Sequence, residues 1–145
     1  MKILIINGPN LNYLGKREPE IYGARTLEEI NNKIKEYCSK KNIEVSFFQS
    51  NCEGKIIDKL YLADNEIDYI IINPGALSHT SIALYDAIKS IKTPVIEAHL
   101  SNIYNRAEEF RKKSITAAAC IGVISGFNYY SYILAIEYAL NAQSL

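Results

Sequence analysis

Two residues near the middle of this 145-residue sequence have the types and spacing of an acid catalyst. Glu97 and His99 stand two positions apart in the run TPVIEAH, and alternate residues of a β-strand project to one face. A carboxylate that bonds one ring nitrogen of a histidine fixes the tautomer and makes the other nitrogen more basic. Such a pair suits a general acid that must hold a proton near neutral pH. The alternative is a strand-end histidine that is only salt-bridged to its neighbour.

The segment LSNIYNRAEEFRKKS follows this pair directly. Ser101 and Asn102 are both favoured helix N-cap residues. Free backbone N–H groups at a helix start bind carboxylate or phosphate groups. We therefore expect an anion beside His99, with Arg106 or Arg111 lying over it or over neighbouring hydroxyls. The alternative is that Ser101 only caps a helix and that the two arginines belong to a solvated face.

A long polar segment follows the first apolar run of the chain. Residues 2–7, KILIIN, are typical of a strand, and the next helical pattern begins only at Thr26, whereas such connections usually take about 2–6 residues. This crossing, which the sequence predicts to be unstructured, carries Asn10, Arg17 and Tyr22. A tyrosine acts as a base at neutral pH only when cations and hydrogen-bond donors stabilise its anion, so Arg17 and further donors would have to assist.

Aliphatic runs alternate with helical patterns along the whole chain. The predicted strands are 2–7, 43–49, 68–73, 93–99 and 120–125, and the predicted helices are 26–41, 53–64, 79–91 and 129–140. Thr26 and Glu29 form a capping box at the start of the first helix. This order predicts a single α/β domain over 1–145 with a doubly wound, five-stranded parallel sheet. The strands show no apolar and polar alternation, as expected when helices cover both faces.

The ligand crevice of such a sheet lies beyond the carboxyl ends of its strands. Both histidines of the chain fall at that edge: His99 ends a strand, and His79 belongs to the loop NPGALSHT after the third strand. Asn73 begins this loop, whose amide, backbone groups and imidazole suit hydrogen bonds to vicinal hydroxyls. Asp86 falls two turns into the following helix, too far along for direct contact unless another subunit meets it.

Composition excludes several classes of protein. Sixteen basic and sixteen acidic side chains give a formal net charge of zero, without the basic patch of a nucleic-acid-binding protein. No apolar run approaches the ~20 residues of a membrane span, and we expect no signal segment at the N-terminus, because the first apolar run is too short for one. Cys38, Cys52 and Cys120 lack metal-site spacing and are expected to be free thiols in a reducing compartment. We expect a cytoplasmic protein without a metal or dinucleotide site.

Taken together, the motifs resemble those of one known family. The chain is similar to the type II 3-dehydroquinate dehydratases from about Ile3 to Ile136, through the motifs INGPNLNYLGKREPEIYG, FFQSNCEG, NPGALSHTSIALYDA, EAHLSN, EEFRKKS and GVISGF. The resemblance implies a flavodoxin-like fold, no metal or organic cofactor, and a homo-dodecamer built as a tetramer of trimers. It also implies removal of water from 3-dehydroquinate to give 3-dehydroshikimate, in the shikimate route to aromatic amino acids.

The resemblance further implies a role for each candidate side chain in an anti elimination through an enolate. Tyr22 would take the proton from C2, beside the ketone, and Arg17, on the same lid of about 8–25, would keep Tyr22 ionised and stabilise the transition state. His99, oriented by Glu97, would protonate the departing C1 hydroxyl. The remaining contacts would come from Asn10, through a water on the enolate oxygen, from Leu100 and Ser101 at the carboxylate, from Asn73, His79 and Arg111 at the ring hydroxyls, and from Asp86 across the trimer interface.

Three departures from the family's pattern bear on these roles. The segment SNIYNRAEEFR is one residue longer than the usual SN…AREEFR, so the division of roles between Arg106 and Arg111 stays open. Tyr85 stands where the family often has arginine, which bears on the contact around Asp86. The segment GFNYYSY replaces a glycine-rich turn, and only packing consequences are expected.

Two other functions remain as alternatives. One is a dehydratase that works through a lysine Schiff base, although Lys55 and Lys89 fall on predicted helices and Lys16 on the lid. The other is a non-catalytic flavodoxin-like module that binds a small anion. Biosynthetic and catabolic use of the dehydration also remain alternatives.

Overall fold

The computed structural model describes residues 1–16 and 18–142. Its strands are β1 (Lys2–Asn7), β2 (Glu44–Gln49), β3 (Tyr69–Asn73), β4 (Val95–His99) and β5 (Gly122–Ser125). All neighbouring strands run parallel, in the order β2-β1-β3-β4-β5. This is the strand order of a flavodoxin-like sheet, whose order reverses between β1 and β3. The predicted fold class is confirmed.

Helices cover both faces of the sheet. They are α1 (Pro19–Tyr22), α2 (Leu27–Ser39), α3 (Glu53–Ala63), α4 (Leu77–Thr80), α5 (Ile82–Ser90) and α6 (Tyr130–Asn141). The buried residues of α2 and α6 form one apolar core with the sheet, and those of α3 and α5 form a second core on the other face. The chain between β4 and β5 contains 3₁₀ turns at Ile103–Asn105, Glu109–Arg111 and Thr116–Ala119.

Side chains of β1 alternate between the two cores, because successive residues of a strand face opposite sides of a sheet. Ile3 and Ile5 pack with α2 and α6, whereas Leu4 and Ile6 pack with α3 and α5. All four are fully buried, and burial of each side chain contributes about 1.5–3 kcal/mol. Both faces of the strand are therefore apolar, which leaves chemistry to the residues at its carboxyl end.

Some helix and strand boundaries differ from the predictions. The predicted helix 79–91 is two helices, because Ser81 has an extended backbone (φ −95°, ψ 98°) and its hydroxyl caps α5 by accepting a hydrogen bond from the Leu84 N–H. The strand β4 starts two residues later than predicted, because the Thr93 N–H and hydroxyl donate to the Asp64 carboxylate instead of joining the sheet. The predicted capping box of α2 is confirmed.

The polar segment after β1 contains local helical structure, so its prediction as an unstructured crossing is wrong. A 3₁₀ turn spans Leu11–Tyr13, and α1 follows at Pro19–Tyr22. Leu11 and Leu14 are buried in the core shared with α2 and α6, which fixes the first half of the segment to the domain. Tyr22 is the last residue of α1, so this short helix sets the position of the tyrosine.

Candidate active site

A cavity with about 620 Å³ of empty space opens at the carboxyl ends of β1, β3 and β4. Eight of the eleven side chains predicted for the site line it: Asn10, Tyr22, Asn73, His79, His99, Leu100, Ser101 and Arg111. Of the other three, Glu97 contacts His99 from within the protein, and Asp86 is exposed on α5 outside the cavity. Arg17 lies outside the described residues.

Glu97 and His99 form a buried pair at the end of β4. The His99 Nε2 atom lies 2.6 Å from the Glu97 Oε1 atom, as their shared face of the strand predicts. Both residues are buried, Glu97 completely. Because Nε2 is occupied by the carboxylate, Nδ1 is the ring nitrogen that His99 can offer to a ligand in the cavity.

The Glu97 carboxylate also accepts two hydroxyl hydrogen bonds. Ser114 donates to Oε1 at 2.5 Å, and Thr116 donates to Oε2 at 2.6 Å. Burial raises the pKa of Glu97, but hydrogen bonds from His99, the His99 charge and the two hydroxyls together lower it below its ordinary value. The carboxylate is therefore ionised at neutral pH. Ser114 and Thr116 were missed from the sequence: Ser114 ends the motif EEFRKKS, but nothing in the motif or in any periodic pattern indicates a contact with Glu97.

His79 is held by a backbone carbonyl. Its Nδ1 atom lies 2.6 Å from the carbonyl oxygen of Lys113. Because a carbonyl only accepts, Nδ1 carries the hydrogen, and in the neutral ring Nε2 is then an acceptor. His79 can therefore accept a hydrogen bond from a ligand hydroxyl in the cavity.

The Asn73 amide is oriented by the core behind it. Its Nδ2 atom donates to the Tyr132 hydroxyl at 2.9 Å, and its Oδ1 atom accepts from the Gly75 N–H at 3.2 Å. The Tyr132 hydroxyl in turn donates to Asn7 Oδ1 at 2.6 Å. One N–H of Asn73 is left for the cavity, so this residue acts as a donor there. Tyr132 belongs to GFNYYSY, so the expectation that this segment affects packing only is corrected.

Arg106 joins the tyrosine of the polar segment to the loop after β4. Its Nη2 atom donates to the Tyr22 hydroxyl at 2.8 Å and to the Ser101 hydroxyl at 2.7 Å, and its guanidinium lies 5.0 Å from the Tyr22 ring centroid. Arg111 lines the same cavity, and its Nε atom lies 3.8 Å from a Glu108 carboxylate oxygen. The two arginines thus occupy different parts of the site.

The predicted helix start after His99 is only partly correct. Asn102 caps a 3₁₀ turn, because its side-chain oxygen accepts from the Tyr104 N–H at 3.1 Å. Ser101 is not a cap, and its hydroxyl instead accepts from Arg106 and faces the cavity. No α-helix follows within the described residues before β5, because the chain turns back repeatedly in 3₁₀ turns.

Two glycines allow the loops after β1 and β3 to touch. A Cβ atom on Gly8 would lie 2.4 Å from the Pro74 carbonyl oxygen. Gly75 has φ +59°, and a Cβ atom there would lie 2.9 Å from the Pro9 carbonyl oxygen. Neither position accepts a side chain without movement of backbone, so both loops form one continuous wall of the cavity.

A second, more open groove adjoins the cavity along the loop after β4. It contains about 1120 Å³ of empty space and shares Leu100, Ser101, Arg106 and Arg111 with the cavity. Its opposite wall is the stretch of the polar segment around Glu18 and Ile21. The groove therefore runs between α1 and the loop after β4.

Three further findings concern the rest of the described chain. Cys38 is buried, Cys52 is exposed and Cys120 is partly buried, and all three are free thiols, as predicted. No helix among residues 1–16 and 18–142 has the length and apolar character needed to cross a membrane. Over the same residues, no three His, Cys, Asp or Glu side chains are grouped so that they could hold a metal ion.

Comparison with known proteins gives the family. The family model described as "Dehydroquinase class II" matches residues 1–140. The chain belongs to the class II dehydroquinase family. A 3-dehydroquinate dehydratase of Clostridium botulinum (strain Hall) is 62% identical to this dehydroquinase over 139 residues, which are 96% of this chain and 94% of the relative. The 3-dehydroquinate dehydratase of Clostridium acetobutylicum is 56% identical over 144 residues, 99% of each chain.

Solved dehydroquinase structures share the fold. The type II dehydroquinase of Butyrivibrio crossotus DSM 2876 is 51% identical, covers 97% of both chains and has a TM-score of 0.94. That of Propionibacterium acnes is 38% identical, covers 96% of both chains and has a TM-score of 0.91. The predictions of the family and of a type II dehydroquinase enzyme are confirmed.

Proposed function

We propose that this dehydroquinase converts 3-dehydroquinate to 3-dehydroshikimate by an anti elimination through an enolate, with Tyr22 as the base and His99 as the acid. The observation that carries the proposal is that Tyr22 and His99 line one cavity, each held by a charged partner: Arg106 and Glu97. The named activity of the relatives supports the substrate.

In the first step Tyr22 takes the proton from C2, and the electron pair of the C–H bond moves toward the ketone oxygen. The ketone makes this proton acidic, so the step needs a base and a group that stabilises the developing oxyanion. Arg106 donates to the phenol oxygen at 2.8 Å, and a guanidinium at this distance stabilises the phenolate. Arg17 supplies a second cation from the same segment. Asn10 lines the cavity and holds a water against the enolate oxygen.

In the second step the enolate collapses, the C1–O bond breaks and the hydroxyl leaves as water with a proton from His99. The proton comes from Nδ1, because Nε2 is bonded to Glu97. The ionised Glu97 carboxylate stabilises the imidazolium before the transfer and keeps its ring in one orientation. Tyr22 then releases its proton to solvent and His99 takes one up, directly or through solvent, which restores both residues for the next turnover.

The remaining side chains hold the substrate. Ser101 and the backbone N–H groups of Leu100 and Ser101 bind its carboxylate. The ring hydroxyls are bound by the free N–H of Asn73, the Nε2 acceptor of His79 and the guanidinium of Arg111. We assign Arg106 to Tyr22 and Ser101, and Arg111 to the ring hydroxyls, because Arg106 already donates to the tyrosine and serine hydroxyls.

The proposal includes the assembly and the setting of the enzyme. Residues 8–25 act as a lid that closes over the substrate and excludes water. Asp86, exposed on α5, meets the substrate or lid of a neighbouring subunit across a trimer interface, and four trimers form a dodecamer. The enzyme uses no metal or organic cofactor, acts in the shikimate pathway and resides in the cytoplasm.

One assay separates this proposal from the alternatives. The purified enzyme is incubated with 3-dehydroquinate, and the conjugated enone is followed by ultraviolet absorbance with and without a chelator. We expect product formation that the chelator leaves unchanged. No turnover would favour a non-catalytic binding module. Inactivation by borohydride in the presence of substrate would favour a lysine Schiff base, although no lysine of the described residues lines the cavity.

A further inference from the structure

We propose that residues 113–116, here called the 113–116 clamp, determine where the ring protons of both active-site histidines lie. Within the clamp, Ser114 and Thr116 are positioning residues that keep the transferable proton on His99. The inference rests on the proposed function, because it concerns how His99 serves as the acid. Neither hydroxyl reaches the cavity lining, so both act through Glu97.

The clamp gives each oxygen of the Glu97 carboxylate its own hydroxyl donor. Ser114 bonds Oε1, the oxygen that also bonds His99, and Thr116 bonds Oε2. Glu97 and Thr116 are both fully buried, so water does not compete for the bond between them. Hydrogen bonds from neutral donors to a buried carboxylate favour its charged form.

The hydroxyl of Ser114 is itself oriented. It accepts a hydrogen bond from the Ala117 N–H at 3.1 Å, so its own hydrogen is free to point at Glu97. The Thr116 hydroxyl lies 3.3 Å from that of Ser114. The short 3₁₀ turn Thr116–Ala119 thus fixes both donors by local backbone structure.

The same four residues hold the second histidine. The Lys113 carbonyl accepts from His79 Nδ1 at 2.6 Å. The Ile115 N–H donates to the Ser78 carbonyl at 2.6 Å, which ties the clamp to α4 beside His79. One segment therefore fixes the hydrogen on Nδ1 of His79 and the charge on the partner of His99.

The chemical consequence concerns one proton shared by Glu97 and His99. With both hydroxyls present, the favoured arrangement is a carboxylate beside an imidazolium, which can give its proton to the leaving hydroxyl. Without one hydroxyl, the buried carboxylate is less stable, so a larger share of the proton lies on Glu97. The fraction of molecules in which His99 carries the proton is then smaller. The pair as a whole nevertheless keeps its proton to a higher pH, because protonation relieves the destabilised carboxylate.

Other titratable groups near the pair belong to its surroundings. The Cys120 thiol is the titratable neighbour on the protein side, and burial and the Glu97 charge raise its pKa far above its ordinary value, so it stays neutral. On the cavity side, the titratable or charged side chains of the described residues, besides His99 itself, are those of Tyr22, His79, Arg106 and Arg111. A change of the Thr116 hydroxyl to a methyl group leaves all of these neighbouring side chains in place.

The test compares Thr116→Val, which replaces the hydroxyl by a methyl group, with Thr116→Ser, which keeps it. For Thr116→Val we expect kcat to fall about ten- to a hundredfold, from the loss of one charge-assisted hydrogen bond, with KM within about twofold. The basic limb of the kcat profile against pH moves to higher pH. Thr116→Ser restores the profile, and Ser114→Ala changes it in the same direction as Thr116→Val.

A spectroscopic readout makes the test independent of turnover. The sequence has only two histidines, so ¹⁵N-histidine labelling gives two imidazole spin systems. At neutral pH we expect His99 to be less protonated in Thr116→Val than in the wild type, while His79 keeps its hydrogen on Nδ1. Unchanged His99 signals, or a lower kcat without movement of the basic limb, would overturn the proposal.

Folding and the proposed activity are controlled separately. Circular dichroism and thermal unfolding show whether Thr116→Val folds, and the partly exposed Ser114→Ala carries the test if it does not. A wild-type enzyme that fails to turn over 3-dehydroquinate would refute the proposed function. The imidazole signals of the same samples would still decide whether the 113–116 clamp controls the proton on His99.

Discussion

The Arg106 guanidinium bonds the Tyr22 hydroxyl with the same nitrogen that bonds Ser101. Tyr22 ends the short helix α1, whereas Ser101 and Arg106 belong to the loop after β4. One cation therefore joins the proposed base to the residue that would bind the substrate carboxylate. The position of the polar segment and the hydrogen bond to the Tyr22 hydroxyl therefore depend on the same guanidinium.

Replacement of Arg106 by lysine should lower kcat. An ammonium is a point charge without the planar geometry of a guanidinium, so it cannot reproduce both hydrogen bonds. We expect kcat to fall about ten- to a hundredfold, which corresponds to roughly 1.5–3 kcal/mol for a hydrogen bond to a charged group. Arg111→Lys is the matched control and should act mainly on KM. Steady-state kinetics showing the opposite pattern would reverse the assignment of the two arginines.

Removal of the Tyr22 hydroxyl should abolish most of the activity. Tyr22→Phe keeps the ring but deletes the proposed base, and general base catalysis typically contributes about 10²–10⁴-fold. We expect kcat to fall by that factor with the fold unchanged by circular dichroism. Tyr13→Phe, at an exposed tyrosine of the neighbouring 3₁₀ turn, should retain wild-type kcat. Comparable activity of the two variants would remove Tyr22 from its role.

Loss of the Tyr132 hydroxyl should affect both stability and substrate binding. Tyr132→Phe leaves the buried amides of Asn7 and Asn73 without a shared partner, at a cost of about 2–4 kcal/mol in the free energy of unfolding. The freed Asn73 amide can rotate, so KM should rise. Urea unfolding and kinetics would be compared with Tyr138→Phe, an exposed position on the same helix, where we expect less than about 0.5 kcal/mol. Equal effects would show that Tyr132 only fills space.

The lowered pKa of Glu97 gives stability a pH dependence of definite sign. A group with a depressed folded-state pKa stabilises the fold above its ordinary value, 4.5 for this glutamate, and that contribution is lost as pH falls through the folded-state pKa. The difference in unfolding free energy between wild type and Glu97→Gln should therefore shrink as pH falls from 6 to below 4.5. Urea unfolding across this range measures it. A constant difference, or one that grows in acid, would contradict the expectation.

The sheet and the positions of several site residues could be predicted because local patterns determine them. The apolar runs fix β1, β3 and β4, and a parallel sheet brings their carboxyl ends to one edge, which places Asn73 and His99 in one cavity. The spacing of Glu97 and His99 on one strand similarly fixes their contact. Each of these inferences needs only a period of two and the geometry of the sheet.

Contacts that depend on the path of the long loop between β4 and β5 could not be predicted from the sequence. Ser101 is of a residue type favoured at helix N-caps, yet its hydroxyl faces the cavity because the chain after it forms 3₁₀ turns. Ser114 and Thr116 reach Glu97 across 17 and 19 positions of sequence. The choice of Arg106 as the partner of Tyr22, 84 positions away, likewise arises only from tertiary structure.

The tight contact at Gly8 and Gly75 has a consequence for how substrate reaches the site. Because the two loops touch backbone to backbone, they close the cavity wall between the ends of β1 and β3. The groove between α1 and the loop after β4 would then be the route by which a small acid enters the cavity. Arg106 lines both the groove and the cavity and bonds Tyr22, so the carboxylate of an entering acid would meet this guanidinium before it reached the proposed base.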